Sequence, residues 1–450
     1  MANQVIKPVK NLKGEIHIPG DKSISHRAVM IGSIADGETI ANNFLMSADC
    51  LATIDCFKEM GIEIETQNSK FKTQNECRVI IKGKGLKGLK KPEKMLDVGN
   101  SGTTIRLISG ILAGQDFETT ITGDASIQKR PMRRIVEPLF RMGAIIEGIG
   151  RSGNQGIGDK EVYPPLKIKG GKLRPTEYKM PMASAQVKSC VLLAGLYADG
   201  KTCIIEPAPS RDHTERMLSH FGVPINVTGN KISICGPASF EGSEIDIPGD
   251  ISSAAYFIVA GLLVPGSDLL LRSIGVNPTR TGILEVVHRM GGNAEVLDEV
   301  IISEEPRADI RLTSNEKRVT KMKGIEMSGE LIPKIIDEIP IIAVLATQAE
   351  GTTIIKDARE LRVKESDRIK TISSELRKMG AKIDEKEDGM IIHGPTKLKG
   401  AKVKSYGDHR VAMSMAIAAL IADDETEIED VDCVETSFPG FFKILKEISF

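Results

Sequence analysis

The sequence predicts an α/β fold built from two similar domains, and three observations support this prediction. The chain has 450 residues, more than a single hydrophobic core usually serves. One pattern recurs along it: a Gly-rich or polar turn, a small-residue apolar helix, a β-like stretch and an amphipathic helix that ends near glycine. The tripeptide Pro19-Gly20-Asp21 also returns as Pro248-Gly249-Asp250. We therefore expect six related units, three in each domain, with the chain crossing between domains at the two tripeptides.

The first helix of each unit is predicted to be buried, because it is rich in Ala, Gly, Leu, Ile and Met. These helices begin near Ser23, Gly102, Ser184, Ser252, Glu338 and Asp408. The start of a helix has unpaired N–H groups and positive partial charge, so each entrance is a candidate anion site. For a single entrance taken alone, a plain helix cap with a solvated cation is the favoured explanation. Six entrances with cations or hydroxyls favour anion binding.

The second helix of each unit is predicted to be amphipathic and to end at a glycine in the left-handed conformation. Five such helices are clear, at 51–60, 133–142, 215–221, 283–290 and 369–379. A closing helix at 441–447 completes the sixth unit. A strand is expected after each capping glycine.

Composition excludes several classes of partner. Lys and Arg number 60 against 61 Asp and Glu, so the net charge does not favour nucleic acid or a membrane surface. The absence of tryptophan and the few other aromatics argue against stacking on single-stranded nucleic acid. Seven cysteines without a Cys-x-x-Cys pair or zinc spacing predict reduced, mostly buried thiols. No signal core or membrane-spanning run is evident, so we expect a soluble cytoplasmic protein.

Basic and polar residues gather at the first three entrances. Lys22, Ser23 and Arg27 precede an apolar run, with Ser23 and Arg27 on one helix face. The stretch 97–104 is a glycine turn without a Walker lysine or a dinucleotide fingerprint, and 128–134 clusters four cations around a proline. A structural turn and a solvated charged face are the alternatives for these two stretches.

The third unit offers further donors to a phosphorylated ligand. They are Ser184, Gln186 and Lys188 at one helix start and Arg211 before the next helix. Two ordinary helix caps explain them about as well. His213 is expected to be a structural partner of Asp212 or Glu215 rather than a base.

The strongest local signal is the run from 362 to 368, which opens a helix whose apolar residues face the core. Lys364 beside Glu365 could transfer protons while Arg368 holds a substrate, although a salt-bridged cap is the alternative. Asp337 and Arg410 lie at two other entrances of the same half. The residues thus predict an enzyme or binder for small, multiply anionic molecules, acting in a cleft between the domains.

At these residues the chain resembles the 5-enolpyruvylshikimate-3-phosphate synthase family over almost its whole length. The resemblance implies two domains of three βαβαββ units each, an inverse α/β barrel fold, with the active site in the cleft. It implies a domain of 1–20 plus 247–450 on the phosphoenolpyruvate side and one of 21–246 on the shikimate-3-phosphate side. The implied activity is enolpyruvyl transfer from phosphoenolpyruvate to shikimate-3-phosphate in aromatic amino-acid biosynthesis, by a monomer without metal or cofactor.

Residue roles follow from the same resemblance. The implied catalytic residues are Lys22, Asp337 and Glu365. Those implied to bind shikimate-3-phosphate are Lys22, Ser23, Arg27, Ser184, Gln186, Arg211, Asp337 and Lys364. Those implied to bind phosphoenolpyruvate are Lys22, Gly102, Arg130, Gln186, Arg368 and Arg410.

The chain departs from the family's best-known pattern at Ala185, Glu360 and Thr436, where a serine, an asparagine and a lysine are common. Other motifs resemble the second subgroup of the family, which is often less sensitive to glyphosate. Two rival functions stay open. A related UDP-N-acetylglucosamine enolpyruvyl transferase would normally present a reactive cysteine, which the loop 123–130 lacks. An inactive repeat protein that binds anions or RNA is disfavoured by the balanced charge and the Lys364-Glu365 pair.

Overall fold

A computed structural model describes residues 2–68, 77–149, 161–314 and 322–450. The chain forms two compact units. The N-terminal unit consists of Gly20–Ile247 with Ile302–Glu305, and the C-terminal unit of Met1–Pro19, Pro248–Ile301 and Pro306–Phe450. Each unit has its own hydrophobic core.

The elements of the first half follow one another as three repeats. Two strands come first, β1 (Gln4–Ile6) and β2 (Lys13–His17). The first repeat is α1 (Lys22–Ile34), β3 (Asp36–Asn42), α2 (Ala48–Glu59), β4 (Glu63–Asn68) and β5 (Cys77–Lys84). The second is β6 (Leu96–Asp97), α3 (Gly102–Ala113), β7 (Glu118–Thr122), α4 (Arg133–Arg141), β8 (Ile145–Gly148) and β9 (Leu166–Lys169). The third is β10 (Glu177–Lys179), α5 (Ala185–Gly195), β11 (Gly200–Ile205), α6 (His213–His220), β12 (Ile225–Thr228) and β13 (Lys231–Gly236).

The second half repeats the order. The fourth repeat is β14 (Glu244–Asp246), α7 (Ile251–Leu263), β15 (Asp268–Gly275), α8 (Gly282–Arg289), β16 (Glu295–Ile302) and β17 (Glu305–Thr313). The fifth is β18 (Glu326–Met327), α9 (Ile332–Ile335), α10 (Ile339–Thr347), β19 (Gly351–Ile355), α11 (Arg368–Lys378), β20 (Lys382–Lys386) and β21 (Gly389–Gly394). The sixth is β22 (Lys402–Lys404), α12 (His409–Leu420), β23 (Thr426–Glu429) and α13 (Phe441–Ile448).

In the described residues the repeats form six small sheets, five of which have four strands. In the order β6-β7-β9-β8, a parallel pair is followed by an antiparallel hairpin. Two first strands are exchanged between repeats: β14 pairs in parallel with β3, and β2 pairs in parallel with β15. In the sixth sheet β22 and β23 form the parallel pair, and β1 pairs antiparallel with β23. The strand β1 thus takes the position that the antiparallel hairpin has in the sheet β6-β7-β9-β8. The predicted fold class and its βαβαββ repeats are confirmed.

The six first helices are buried, as predicted. They begin within one residue of the expected positions, and every residue of α7 is buried. The five clear second helices each end one residue before the predicted limit, and the glycines that follow have φ values of +83°, +99°, +78°, +87° and +92°. The closing helix α13 ends one residue after its predicted limit. The helix α2 starts three residues earlier than predicted, with Asp49 in its first turn. An acidic side chain there favours an earlier start, because it interacts well with the helix dipole.

Two further expectations concern thiols and membranes. Cys50, Cys56, Cys190 and Cys203 are buried, and all seven cysteines are free thiols. Burial raises the pKa of Cys50 to about 12, so this thiol stays protonated. Among the described residues, no helix is long and apolar enough to cross a membrane.

Close packing of α3 on α5 depends on Gly110. A Cβ atom added there would lie 2.2 Å from the backbone oxygen of Cys190, so the helices would have to separate. We expect Gly110→Ala to destabilise the protein by about 1–3 kcal/mol, as overpacking does. Thermal unfolding measures this. Gly171→Ala is the matched control, since nothing lies within 4 Å of the added atom. Equal unfolding midpoints for the two variants would refute the close approach.

Candidate active site

The three first helices of the N-terminal unit bring their starting turns together. The ring Nδ1 of His26 on α1 lies 2.7 Å from Thr53 Oγ1 on α2, which lies 2.7 Å from Thr104 Oγ1 on α3. Gln186 on α5 donates through Nε2 to Thr103 Oγ1 at 3.1 Å. Three positively polarised helix ends therefore meet in one region.

Lys22 opens α1 and its ammonium group forms a close ion pair with Asp49. Both side chains keep some exposure, at 20% and 12%. The helix cap is Asp21, whose carboxylate accepts the N–H of Ile24 at 3.0 Å. Sequence reasoning missed Asp49, because its partner lies 27 positions earlier in the chain.

Arg27 is buried and its guanidinium group is held by hydroxyl groups. Nε donates to Thr214 at 2.7 Å, Nη2 to Ser189 at 2.8 Å, and Nη1 to the Ser23 carbonyl at 2.9 Å. Burial lowers the pKa of Arg27 to about 10, and the nearby charge of Arg211 contributes to this shift. No carboxylate bonds directly to this guanidinium group among its described hydrogen bonds, although the nearby charges of Glu215 and Asp21 act to raise its pKa.

Gly102 starts α3 against two guanidinium groups. A Cβ atom there would lie 2.8 Å from Nη1 of Arg106 and 2.9 Å from Nη1 of Arg130. Arg106 donates to Gln186 Oε1 at 2.8 Å, and Arg130 to Asn100 Oδ1 at 2.7 Å. Because Gly102 has no side chain, both arginines can approach the start of α3. Sequence reasoning missed Arg106. The signal available for it was that Arg106 is the single charged residue of α3.

Ser184 caps α5 by accepting the N–H of Val187 at 3.5 Å. Lys188, one turn later, is fully buried between Glu206 at 2.9 Å and Glu215 at 2.7 Å. Burial alone would lower the pKa of Lys188, but the two carboxylates outweigh it and raise that pKa. Lys188 is therefore a structural cation.

The partner predicted for His213 was wrong, because the contact is made with a residue far away in the sequence and not with a sequence neighbour. Its Nδ1 lies 2.7 Å from Oε1 of Glu305, which is 92 positions away in the sequence. Local reasoning considered only the neighbours Asp212 and Glu215. The expected structural role stands.

The first helices of the C-terminal unit also meet at their starts. The Ser252 hydroxyl, in the first turn of α7, donates closely to the carboxylate of Glu338, the residue directly before α10. Nη1 of Arg410, in the first turn of α12, donates to the backbone oxygen of Asp337 at 3.0 Å. Arg280 donates to Ser252 at 2.8 Å and so supports the same junction.

Arg368 lies at the centre of this junction and is 1% exposed. Its guanidinium group contacts Asp408 at 2.8 Å, Glu365 at 2.6 Å and Asp337 at 3.3 Å. Burial opposes the charge of Arg368, but the three carboxylates together raise its pKa. Burial likewise opposes the charge of Asp408, and Arg368 nevertheless lowers the pKa of that carboxyl.

Lys364 extends this cluster toward solvent. Its Nζ lies 3.8 Å from Asp337 Oδ1 and 3.5 Å from Glu360 Oε1. The side chains of Asp337, Lys364 and Glu365 are 15%, 23% and 24% exposed, whereas Arg368 is sealed beneath them. A reachable lysine and two reachable carboxylates over a fixed cation can exchange protons with a bound molecule.

The predicted site residues thus form two sets, one in each unit. Among the described residues, no group of three or more His, Cys, Asp or Glu side chains is arranged to hold a metal ion. The N-terminal set is rich in cations and hydroxyls, and the C-terminal set pairs cations with carboxylates.

Comparisons with known proteins agree with this chemistry. Residues 6–445 match the family model described as EPSP synthase (3-phosphoshikimate 1-carboxyvinyltransferase). Relatives named 3-phosphoshikimate 1-carboxyvinyltransferase include one from Bacillus licheniformis, 52% identical over 98% of both chains. Another, from Thermoanaerobacter sp., is 55% identical over 97% of this chain and 98% of the relative.

Solved structures show the same fold. EPSP synthase from Acinetobacter baumannii superposes with a TM-score of 0.84 at 43% identity, covering 99% of this chain and 98% of that one. The enolpyruvyl transferase NikO from Streptomyces tendae superposes with a TM-score of 0.76 over 99% and 96% of the chains. At 14% identity, NikO shares the fold alone.

We expect Asp408→Asn to destabilise the protein by about 3–5 kcal/mol at pH 7, because it removes a carboxylate from a buried guanidinium group. The folded-state pKa of Asp408 is lowered, so its stabilising effect is present above pH ~4 and is lost as pH falls through that lowered value. Denaturant unfolding at several pH values measures the free energy of unfolding of wild type and variant. The difference between the two free energies should become smaller at acidic pH.

Asp384→Asn is the control for this experiment. Asp384 pairs with His393 at 3.3 Å on the surface, where it is 62% exposed. Its loss should change stability by less than about 1 kcal/mol. A similarly small effect of Asp408→Asn would show that Arg368 does not need this partner.

Proposed function

Because the chain belongs to the EPSP synthase family, we propose that it catalyses the reaction for which its relatives are named, 3-phosphoshikimate 1-carboxyvinyl transfer. The enolpyruvyl group of phosphoenolpyruvate passes to the 5-hydroxyl of shikimate-3-phosphate, and phosphate is released. The observation that carries this proposal is the cluster of Asp337, Lys364 and Glu365 around buried Arg368. It supplies acid–base groups and fixed positive charge together.

Both substrates are phosphorylated carboxylates, so the reaction requires several cations and donors near each other. In our proposal shikimate-3-phosphate is bound by Lys22, Ser23, Arg27, Ser184, Gln186, Arg211, Asp337 and Lys364. Phosphoenolpyruvate is bound by Lys22, Gly102, Arg130, Gln186, Arg368 and Arg410. The meeting of helix starts within each unit supports these assignments, because it concentrates positive charge without depending on the protein's net charge.

The proposed catalytic residues are Lys22, Asp337 and Glu365, and the two carboxylates transfer the protons. In the addition step the 5-hydroxyl oxygen bonds to C2 of phosphoenolpyruvate, C3 gains a proton from protonated Glu365, and the hydroxyl proton passes to a base. Asp337 is proposed to accept it. In the elimination step C3 loses a proton to Glu365, the double bond re-forms, and phosphate leaves. Lys22 and the arginines stabilise the charge that develops on the phosphate.

The two proposed carboxylate-binding arginines differ in their surroundings. Arg368 faces three carboxylates, whereas Nη1 of Arg410 contacts a neutral backbone oxygen at 3.0 Å and lies 3.8 Å from Glu338. The charge of Arg410 is therefore balanced less closely. In our proposal both arginines bind the carboxylate of phosphoenolpyruvate; Arg410 attracts it more strongly, and Arg368 also holds Asp337 and Glu365 in place.

We also propose that the enzyme works as a monomer in the cytoplasm. The seven free thiols support a reducing compartment. Sedimentation of the purified protein tests the monomer, and cell fractionation tests the location.

The activity itself is tested by phosphate release. We expect release only when shikimate-3-phosphate and phosphoenolpyruvate are both supplied, because either alone lacks a reaction partner. A coupled phosphate assay with product identification by mass spectrometry measures it. Omitting one substrate is the control. Release with UDP-N-acetylglucosamine in place of shikimate-3-phosphate, or no release at all, would overturn the proposal.

The role of Glu365 is tested by Glu365→Gln, which keeps the shape of the side chain but removes its basicity. We expect kcat to fall by about 10²–10⁴-fold, as loss of a general base does. Steady-state kinetics with both substrates measure it. Glu387→Gln is the control, because Glu387 is 76% exposed and pairs with Arg359 at the surface. Near-normal turnover of a folded Glu365→Gln protein would remove Glu365 from the mechanism.

A further inference from the structure

The loop 359–367 carries Lys364 and Glu365 but has little hydrophobic anchoring of its own. It is a short 3-10 turn over Arg359–Val363 followed by irregular backbone. Only Leu361 within it is buried, and Val363 is 57% exposed. Polar contacts must therefore hold this loop in position.

Arg362 makes the main polar contacts, and all three of its side-chain nitrogens take part. Nε donates to the backbone oxygen of Glu387 at 2.6 Å and Nη2 to that of Lys386 at 2.6 Å. Nη1 lies 2.8 Å from Asp367 Oδ2 and 3.0 Å from Glu385 Oε1. A planar guanidinium group can satisfy this arrangement, whereas a lysine ammonium cannot reach all four acceptors.

Two of those acceptors belong to the hairpin turn 386–388 between β20 and β21. The same turn also holds the entry to the loop. The N–H groups of Asp357 and Ala358 donate to the carboxylate and backbone oxygen of Asp388, at 2.9 and 2.7 Å. The hairpin turn is thus a platform for both the entry and the middle of the loop.

Asp367 connects Arg362 to the exit of the loop. Its Oδ1 caps α11 by accepting the N–H of Lys370 at 3.1 Å, while Oδ2 accepts from Arg362 at 2.8 Å. The contact between Arg362 and Asp367 therefore joins the two ends of the segment 362–367. Lys364 and Glu365 lie inside that segment, and buried Arg368 directly follows Asp367.

We propose that Arg362 is a positioning residue for catalysis: by clamping the loop 359–367 to the hairpin turn 386–388, it sets where Lys364 and Glu365 stand. This inference rests on the proposed function, since it presupposes that these two residues act on the substrates. Arg362 itself touches neither reacting group. Loss of the Arg362 side chain is therefore expected to displace Lys364 and Glu365 while leaving both residues in the protein.

The test compares full-length wild type with Arg362→Ala, Arg362→Lys and Arg359→Ala. Arg359 is the matched control, because it is on the same loop and pairs with Glu387 but is 76% exposed. We expect Arg362→Ala to lower kcat by about 10²-fold, as a displacement of roughly 1 Å can. We expect Arg362→Lys to recover only part of this loss, and Arg359→Ala to stay within twofold of wild type.

A second readout separates positioning from general loss of stability. With the reaction run in D₂O, deuterium enters C3 of the enolpyruvyl group by way of the proton transfers. Displacing Glu365 should change the ratio of deuterium incorporation to phosphate release, whereas partial unfolding lowers both in proportion. Guanidinium chloride at low concentration should partly restore Arg362→Ala and leave Arg359→Ala unchanged.

The outcomes are distinct. If wild type releases no phosphate, the proposed function fails before Arg362 is tested. If wild type is active and Arg362→Ala matches Arg359→Ala, or loses activity only in proportion to its folded fraction with an unchanged deuterium ratio, the inference is wrong. If Arg362→Ala does not fold, Arg362→Lys and Glu385→Gln decide it by the same ratio, which must change in at least one of them.

Discussion

The burial of Arg368 is the constraint on which the C-terminal unit depends. A guanidinium group so nearly sealed from water is tolerated only if its charge is matched nearby. The three matching carboxylates come from separate segments: Asp337 before α10, Glu365 in the loop, and Asp408 at the cap of α12. Those segments must therefore meet as the unit folds. The same meeting assembles the residues proposed for proton transfer.

The N-terminal unit reaches a comparable convergence of helices with neutral partners. The hydroxyls of Thr53 and Thr104 and the ring of His26 connect α1, α2 and α3. Burial lowers the pKa of His26 well below its ordinary value, so the ring is neutral and adds no charge to the cluster. The N-terminal unit thus gathers cations and hydroxyls, with Lys22 paired to Asp49, whereas the C-terminal unit pairs its cations with carboxylates around Arg368.

Local patterns predicted the elements well, because the forces that define them act over a few residues. Gly380 follows an amphipathic helix and has the positive φ that a left-handed cap requires. The apolar run after Asp250 becomes α7, which is buried throughout. Helix starts were less certain, as α2 shows, since an acidic first turn can extend a helix beyond its apolar pattern.

The sequence by itself determined the repeat, the fold class and which residue types gather at the helix starts, because spacing and composition encode these locally. Only the tertiary structure decided the partners. Arg106 meets Gln186 across 80 positions and His213 meets Glu305 across 92. Arg362 donates hydrogen bonds to the hairpin turn 386–388, and no local sequence pattern predicts this contact. Charge matching and hydrogen-bond geometry select such partners by distance in space, and one sequence read alone contains no measure of that distance.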